Sequence, residues 1–280
     1  MAVGKTRKIS ILLLAAALLA LLGASVFAAG NAELQADSMN YDPKSRSVVA
    51  TGNVRFSSPD GEVSADRGVG YTDGGTFEME GSVSGRFAAQ SMDITCDFIM
   101  LERAASSDKR IVTAKGRVRL SMRGGTVRAG SVVWEHGSDN YSAEGNVLMD
   151  FENYLVDSDE ASRSGNRFRA RNVRRYLDRS RRMTISAGEA EGLMEKDDIV
   201  ELTASGGVVI NVANLNGAPT RITGASGVFS SERGTLVISG NASATQEGRS
   251  VRAANIVYHL DGGRVEALGD RPTIAFEVPD

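Results

Sequence analysis

The chain has 280 residues, 41% of them apolar, and a formal net charge of −3. This length suffices for one large or two ordinary domains with a true core, and the nearly balanced charge argues against nucleic acid as a partner. The 31 glycines suit tight strand connections better than helices. Because Cys96 is the single cysteine, an internal disulfide is excluded, and packing and hydrogen bonds must supply the stability.

Residues 1–28 are typical of a cleaved signal peptide. A basic start is followed by the apolar run Ile9–Leu22, and Val26-Phe27-Ala28 offers small residues where signal peptidase requires them. The alternative is a retained membrane anchor, because Ile9–Ala28 is long enough to span a bilayer. Both interpretations place the remainder of the chain, residues 31–280, outside the cytoplasm.

The stretch Ala36–Phe56 introduces a unit that returns along the chain. A small residue opens an apolar stretch, a polar turn follows, and a Gly comes 16 residues after the small residue. That offset joins Ala36 to Gly52, Ala65 to Gly81, Ala129 to Gly145, Ala190 to Gly206, Gly224 to Gly240 and Ala253 to Gly269. Each unit reads as one β-hairpin, and the repetition decides the predicted fold.

Alternation of apolar and polar residues is frequent from Asn31 onward, whereas helical periodicity is almost absent. The clearest example runs from Val112 to Arg123. We therefore predict an all-β fold: an elongated antiparallel sandwich of about 15 to 16 strands in a single domain, residues 31–280. A parallel β-helix is the structural alternative. The recurring Gly is expected on the apolar face of its strand, marking a bend.

Arginines are concentrated between Arg163 and Arg182, a segment that contains nine arginines and a single acid, Asp178. One interpretation is a solvated strand pair whose charge is offset by acids elsewhere. The other is a contact for a phosphate-bearing lipid, an anionic membrane surface or an acidic partner, since Arg forms bidentate pairs with phosphate. The candidate residues for that contact are Arg167, Arg169, Arg171, Arg174 and Arg175.

Residue patterns that support catalysis or cofactor binding are lacking in the sequence. His136 and His259 have no second ligand at metal spacing, and neither a nucleophile elbow nor a P-loop occurs. The acidic pairs Asp157/Asp159 and Asp197/Asp198 are predicted in solvated turns rather than in an acid/base site. We therefore expect no catalytic residues, no metal, no cofactor and no enzymatic activity.

The phrase Ala36-Asp37-Ser38-Met39-Asn40-Tyr41-Asp42, followed by Ala50-Thr51-Gly52-Asn53-Val54, resembles the OstA-like domain of the lipopolysaccharide-transport family. That family includes the periplasmic LptA, the membrane-anchored LptC and the N-terminal part of LptD. Weaker echoes extend the resemblance over most of residues 33–276. It implies a V-shaped β-jellyroll in the periplasm that holds the acyl chains of lipopolysaccharide in its interior.

Under this resemblance, the apolar faces of the strands would line the lipid. The predicted lining residues are Val54, Phe56, Val83, Phe87, Val118, Leu120, Met122, Val147, Met149, Phe151, Val208 and Ile210. Expected partners are lipopolysaccharide, other jellyroll components joined by edge-strand pairing, and further copies of the chain in a head-to-tail oligomer. Two alternatives stay open, namely an LptC-like component anchored at the inner membrane and a structural spacer of the envelope that binds no lipid.

Overall fold

The structure, a computed structural model, describes residues 33–58, 61–71, 76–88, 91–103, 110–122, 124–135, 138, 140–195, 198–213, 218–269 and 271–276. The predicted signal peptide or anchor, residues 1–28, lies outside the described residues. Among the residues within them, no helix is long and apolar enough to cross a membrane. The chain divides into two compact units, with the boundary between Ser138 and Asp139.

The first unit is an antiparallel meander. Its strands are β1 (Glu33–Gln35), β2 (Ser38–Asp42), β3 (Ser47–Ser58), β4 (Gly61–Tyr71), β5 (Phe77–Phe87), β6 (Met92–Arg103), β7 (Arg110–Met122) and β8 (Gly125–Glu135). Neighbours along the chain pair from β2 to β8. The short β1 and β2 both pair with β3, one along each half of it, so they act as one interrupted edge strand.

The second unit repeats this plan. Its strands are β9 (Tyr141–Phe151), β10 (Tyr154–Ser164), β11 (Arg167–Asp178), β12 (Met183–Glu195), β13 (Asp198–Val212), β14 (Thr220–Ser230), β15 (Thr235–Gln246), β16 (Arg249–His259), β17 (Val265–Leu268) and β18 (Thr273–Ala275). Neighbours along the chain pair from β9 to β17. The last two strands both pair with β16, and again form an interrupted edge.

The landmark glycines Gly52, Gly81, Gly145, Gly206 and Gly240 each lie at a break in the strand register, whereas Gly269 follows the end of β17. In β3 the backbone of Gly52 and Asn53 is left-handed, with φ of 77° and 47°, and the pairing with β4 shifts between Thr51 and Val54. Two residues of β3 therefore oppose one of β4, which is a β-bulge that bends the strand. Equivalent left-handed pairs occur at Gly81/Ser82, Gly116/Arg117, Gly145/Asn146, Gly206/Gly207 and Gly240/Asn241.

An aspartate that precedes the bulge along the chain, Asp37 between β1 and β2 or Asp66 in β4, explains why Gly is required at the first two bulges. A Cβ at Gly52 would lie 2.6 Å from Asp37 Oδ2, and a Cβ at Gly81 would lie 2.4 Å from Asp66 Oδ2. Asn53 Nδ2 donates a hydrogen bond of 2.9 Å to that same oxygen of Asp37. At this first bulge the Ala36-Asp37 and Gly52-Asn53 dipeptides are thus two halves of one local contact.

The bends fold each unit into two facing layers. In the first unit, Phe56 and Phe77 pair with Val63 and Gly70 on the shared neighbour β4, positions about 23 Å apart on a straight strand. Their ring centroids nevertheless lie 5.0 Å apart, so the two halves of the strands face each other and enclose the core.

The same folding occurs in the second unit within a single strand. The hydroxyl of Tyr141 donates to Met149 Sδ at 3.6 Å, although eight residues of β9 separate them, a separation of about 26 Å on a straight strand. The bulge at Gly145 and Asn146 lies between them and turns the strand back on itself. Both layers of the core are therefore built by the same strands.

These observations confirm the predicted all-β antiparallel jellyroll. The described residues form eighteen strands, more than the predicted 15 to 16 because β1, β17 and β18 are short pieces of interrupted edges. The ladders are antiparallel, which excludes the parallel β-helix. The division into two units falls inside the span 31–280, which the sequence predicts as one domain.

Two sequence expectations are wrong in detail. The landmark glycines are not on the apolar face: Gly52 and Gly81 are half-buried, and Gly145 is exposed, because the left-handed pair interrupts the alternation. Asp157 and Asp159 lie within β10, not in a turn. Asp157 is the last residue before a register shift, so a bulge interrupts the alternation that suggested a turn.

Candidate functional site

The interior between the two layers contains most of the predicted lining residues. Val54, Phe56, Val83, Phe87, Val118, Leu120, Val147, Met149, Val208 and Ile210 are all buried. Met122 and Phe151 are half-buried and lie at strand ends, where Phe151 stacks on Tyr154 with ring centroids 5.1 Å apart. The buried residues from Val54 to Leu120 belong to the first unit, and those from Val147 to Ile210 belong to the second. Each unit therefore has its own interior.

The strands that precede each landmark Gly also contribute to the interior, which the sequence analysis missed. Ile94 and Ile99 of β6 are 1% and 0% exposed. In the second unit, Ile185, Ile222 and Tyr258 are equally deeply buried. Alternation such as that of Met92, Ile94 and Cys96 is the signal for them, but a search centred on the glycines passes over it.

Polar groups are few in this interior. Cys96 is buried and free, and burial raises the pKa of its thiol to about 11, so it is a neutral, inert side chain. Burial also raises the pKa of Tyr176, with the nearby Asp178 carboxylate adding to the effect. Within the described residues, no group of three or more metal-ligating side chains occurs.

The arginine run lies largely on the outer face of β11, where acids on the neighbouring strands pair with it. Arg174 binds Asp157 at 2.6 Å and also binds Asp159. Arg171 Nη1 lies 3.2 Å from Glu160. Register explains the pairing, because β10 supplies these acids directly opposite β11. The local positive charge is therefore largely neutralised.

Arg169, Arg167 and Arg175 complete the predicted anionic-group contact. Arg169 Nε donates to Glu189 of β12 at 2.6 Å. Arg167 and Arg175 are exposed, and neither makes an ion pair with another described residue. A surface depression of about 240 Å³ lies beside this network over β9, β10 and β11, and Glu160, Arg169 and Arg171 contribute to its walls.

A second group of arginines lies in the turn between β11 and β12, residues 179–182. Met183 pairs with Val212, and Phe229 pairs with Leu202; these positions of β13 are ten residues, or about 33 Å, apart on a straight strand. Arg181 Cζ nevertheless lies 4.9 Å from the centroid of the Phe229 ring. The turn therefore reaches across from one layer to the other at the margin of the interior.

This turn is held by a buried carboxylate. Asp178 accepts hydrogen bonds from Ser180 Oγ at 2.7 Å, from the backbone N–H of Arg181 at 2.8 Å and from Arg181 Nη1 at 2.6 Å. Its side chain is 4% exposed, whereas that of Arg181 is 28% exposed. The guanidinium thus bridges a buried acid and a buried aromatic ring while one side of it still contacts water.

Each unit is thus a two-layer β structure with a buried apolar interior, an architecture suited to enclosing an apolar ligand. Residues 33–264 match the model of the family described as LptA/(LptD N-terminal domain) LPS transport protein. The chain belongs to this lipopolysaccharide-transport family, which is a family of transport proteins. The predicted resemblance is confirmed.

A similar solved structure is LptH of Pseudomonas aeruginosa, described as the LptA homologous periplasmic component of the conserved lipopolysaccharide transport device. It is 13% identical in sequence, the TM-score is 0.35, and the match covers 54% of this chain and 94% of LptH. No curated protein matches the chain in sequence.

Proposed function

We propose that this protein binds lipopolysaccharide in the periplasm and passes it along a bridge from the inner to the outer membrane. The observation that carries the proposal is the apolar interior between two β layers in a chain of the lipopolysaccharide-transport family. The acyl chains would lie between the layers, against the buried faces of the strands, while the sugar headgroup stays in water.

The energetics of lipid transfer require such an interior. Each acyl CH₂ exposed to water costs roughly 0.8 kcal/mol, so a twelve-carbon chain costs about 9 kcal/mol to carry through water unprotected. Buried side chains such as Val54, Val118 and Ile210 would replace the water around the acyl chain. This transfer needs no chemical step.

The interrupted edge strands support docking with neighbouring jellyrolls. Met39 and Tyr41 of β2 are 37% and 39% exposed, and Leu268, Ile274 and Phe276 at the other end of the chain are 47%, 60% and 67% exposed. Unpaired strand edges with exposed apolar side chains favour strand addition by a partner. The proposed partners are other jellyroll components of the transport machinery and further copies of this chain, head to tail.

The outer face of β11 would serve a different contact. Arg167 and Arg175 are the arginines of the predicted set that lack an ion pair within the described part of the chain. Because both side chains are exposed on the outer face, they are suited to contact an acidic protein surface or an anionic membrane rather than a lipid in the interior. We propose them as the anionic-group contact on this face.

Photo-crosslinking to lipopolysaccharide in cells tests the proposed interior. Probes at Val118 and Leu120, which are 2% and 4% exposed, should crosslink to the lipid. Matched probes at Lys115 and Arg119 of the same strand are exposed and should not. Equal crosslinking from both faces, or none from a folded protein, would contradict a lipid-carrying interior and favour the spacer.

An LptC-like component held at the inner membrane is the second candidate, because the apolar run Ile9–Ala28 is long enough to serve as an anchor. The mass of the protein purified from cells separates the two. Cleavage after Ala28 is incompatible with the anchored form, whereas a full-length mass in the membrane fraction contradicts a freely moving periplasmic carrier.

A further inference from the structure

The turn between β11 and β12 places a cation at the boundary between the interior of the second unit and water. The guanidinium of Arg181 lies over the ring of Phe229, which is 2% exposed, at 4.9 Å from the centroid. A cation over an aromatic face is held by the ring quadrupole. An acyl chain packed beside Phe229 would therefore reach the surface next to Arg181.

Arg181 can exchange its partner without stranding a buried charge. If the guanidinium turns away, the carboxylate of Asp178 keeps its hydrogen bonds from Ser180 Oγ at 2.7 Å and from the Arg181 backbone N–H at 2.8 Å. A buried carboxylate left without any donor would oppose such an exchange. The two remaining donors make the release of Arg181 toward an anion feasible.

The neighbouring arginines divide into one that is fixed and one that is available. Arg179 binds Asp150 at 2.8 Å and the carbonyl oxygen of Tyr154 at 3.1 Å, so it is tied to the turn between β9 and β10. Arg182 is exposed and its side chain makes no ion pair with a described residue. An anion at this margin would thus meet Arg181 first and Arg182 second.

We infer that the turn of residues 179–182 binds the phosphate of an amphiphilic lipid, with Arg181 as the principal ligand. This inference rests on the proposed function, because it needs the acyl chains in the interior beside Phe229. Arg suits this role since its planar guanidinium forms bidentate pairs with phosphate. The outer-face arginines of β11 are paired with acids or directed away from the interior, so they do not meet this phosphate.

Binding of two lipids to the mature protein tests the assignment. The probes are diphosphoryl lipid A and a phosphate-free lipid A with the same acyl chains. Arg181→Gln should weaken binding of the diphosphoryl lipid by on the order of tenfold or more and leave the phosphate-free lipid unaffected. Arg252→Gln, which removes an exposed arginine elsewhere in the second unit, is the matched control and should change neither.

A second variant guards against misfolding, because Arg181→Gln leaves Asp178 without its cation. In the double variant Asp178→Asn, Arg181→Gln the buried charge is removed as well, and the selective loss of diphosphoryl lipid binding should persist. If the double variant lost affinity for both lipids to the same extent, the assignment would be overturned, and Arg181 would have a structural role only. Undiminished binding of the diphosphoryl lipid by Arg181→Gln would overturn it too.

Two further outcomes separate this inference from its premise. If the wild-type protein binds neither lipid, the proposed function fails, and the inference fails with it. If inorganic phosphate alone raises the unfolding temperature of the wild type but not of Arg181→Gln, the site takes free phosphate rather than a lipid headgroup. We expect inorganic phosphate to have no such effect, because only a lipid also fills the interior beside Phe229.

Discussion

Replacing Gly81 by Ala tests the contact between the bulges and the aspartates. The backbone of Gly81 is left-handed, with φ of 79°, and a Cβ there would lie 2.4 Å from Asp66 Oδ2, 2.8 Å from its Cβ and 3.0 Å from its Cγ. The carboxylate can rotate away, but the Cβ of Asp66 moves only with the backbone. Substitution therefore adds a steric clash to the cost of the left-handed conformation.

Gly124 offers a matched control in the same unit. Its φ is 81°, and a Cβ there would meet nothing within 4 Å, so Gly124→Ala carries only the cost of the left-handed backbone, about 1–2 kcal/mol. Gly81→Ala carries that cost plus overpacking of about 1–3 kcal/mol. The two variants should thus differ in free energy of unfolding by about 1–3 kcal/mol.

Thermal and urea unfolding of the purified protein measure this difference. At roughly 3 °C per kcal/mol for a chain of this size, Gly81→Ala should melt about 3 to 9 °C below Gly124→Ala. Asp66→Gly removes the three clashing atoms and should recover part of the loss in the Gly81→Ala background. Equal destabilisation by the two alanine variants would refute the account of the bulge as a Gly-Asp contact.

Three further predictions follow from single features of the structure. Cys96, with its pKa raised to about 11, should resist thiol reagents at pH 8, where roughly one molecule in a thousand is thiolate, and react fully in urea; rapid labelling of the folded protein would contradict its burial. Hydrogen bonds from Arg174 and then Asn172 lower the pKa of Asp159, so its contribution to stability is present above about pH 4 and is lost as the pH falls further. The gap in stability between wild type and Asp159→Asn should therefore narrow below that pH, and a constant gap would exclude the ionised pair as its cause. Ile274→Asp should weaken concentration-dependent assembly, measured by sedimentation, more than Val228→Asp, a change at an exposed position of a central strand; equal effects would argue against edge docking.

The hairpin plan was predictable because it depends on local chemistry. Turn residues such as Asp42-Pro43 and the constant Ala-to-Gly offset both survive in the sequence, whatever the tertiary structure. The orientation of the glycines was not predictable by alternation, because counting every second residue assumes a regular strand. At Gly52 and Asn53, two consecutive left-handed residues interrupt the regular strand. Gly52 therefore lies off the apolar face, while Val54 still points into the interior.

The pairing of the arginines required the register of the strands. Arg174 finds Asp157 and Asp159 at sequence separations of 17 and 15 residues, and Arg169 finds Glu189 at a separation of 20. Counting charges along the sequence gives a run of arginines with one acid among them. In the sheet, however, β10 and β12 flank β11 and bring their acidic side chains next to these arginines. The position of Arg181 over Phe229 was even harder to predict from the sequence, because it depends on the folding of the strands into two layers.

The close packing of the interior sets a condition on the proposed transport. Side chains such as Val54 and Ile99 in the first unit and Ile256 in the second are 0% exposed, so the two layers of each unit pack against each other. Under the proposed function an acyl chain would have to replace contacts between them. The gain of about 9 kcal/mol from shielding a twelve-carbon chain has to exceed the cost of parting the layers. Left-handed Gly bulges recur in alternate strands, namely β3, β5 and β7 of the first unit and β9, β13 and β15 of the second. Under the proposed function we expect the two layers of a unit to part along this row of bulges while the ladders stay intact. A conduit of this kind would bind lipid more tightly when contacts between the layers are weakened, whereas a spacer would only lose stability.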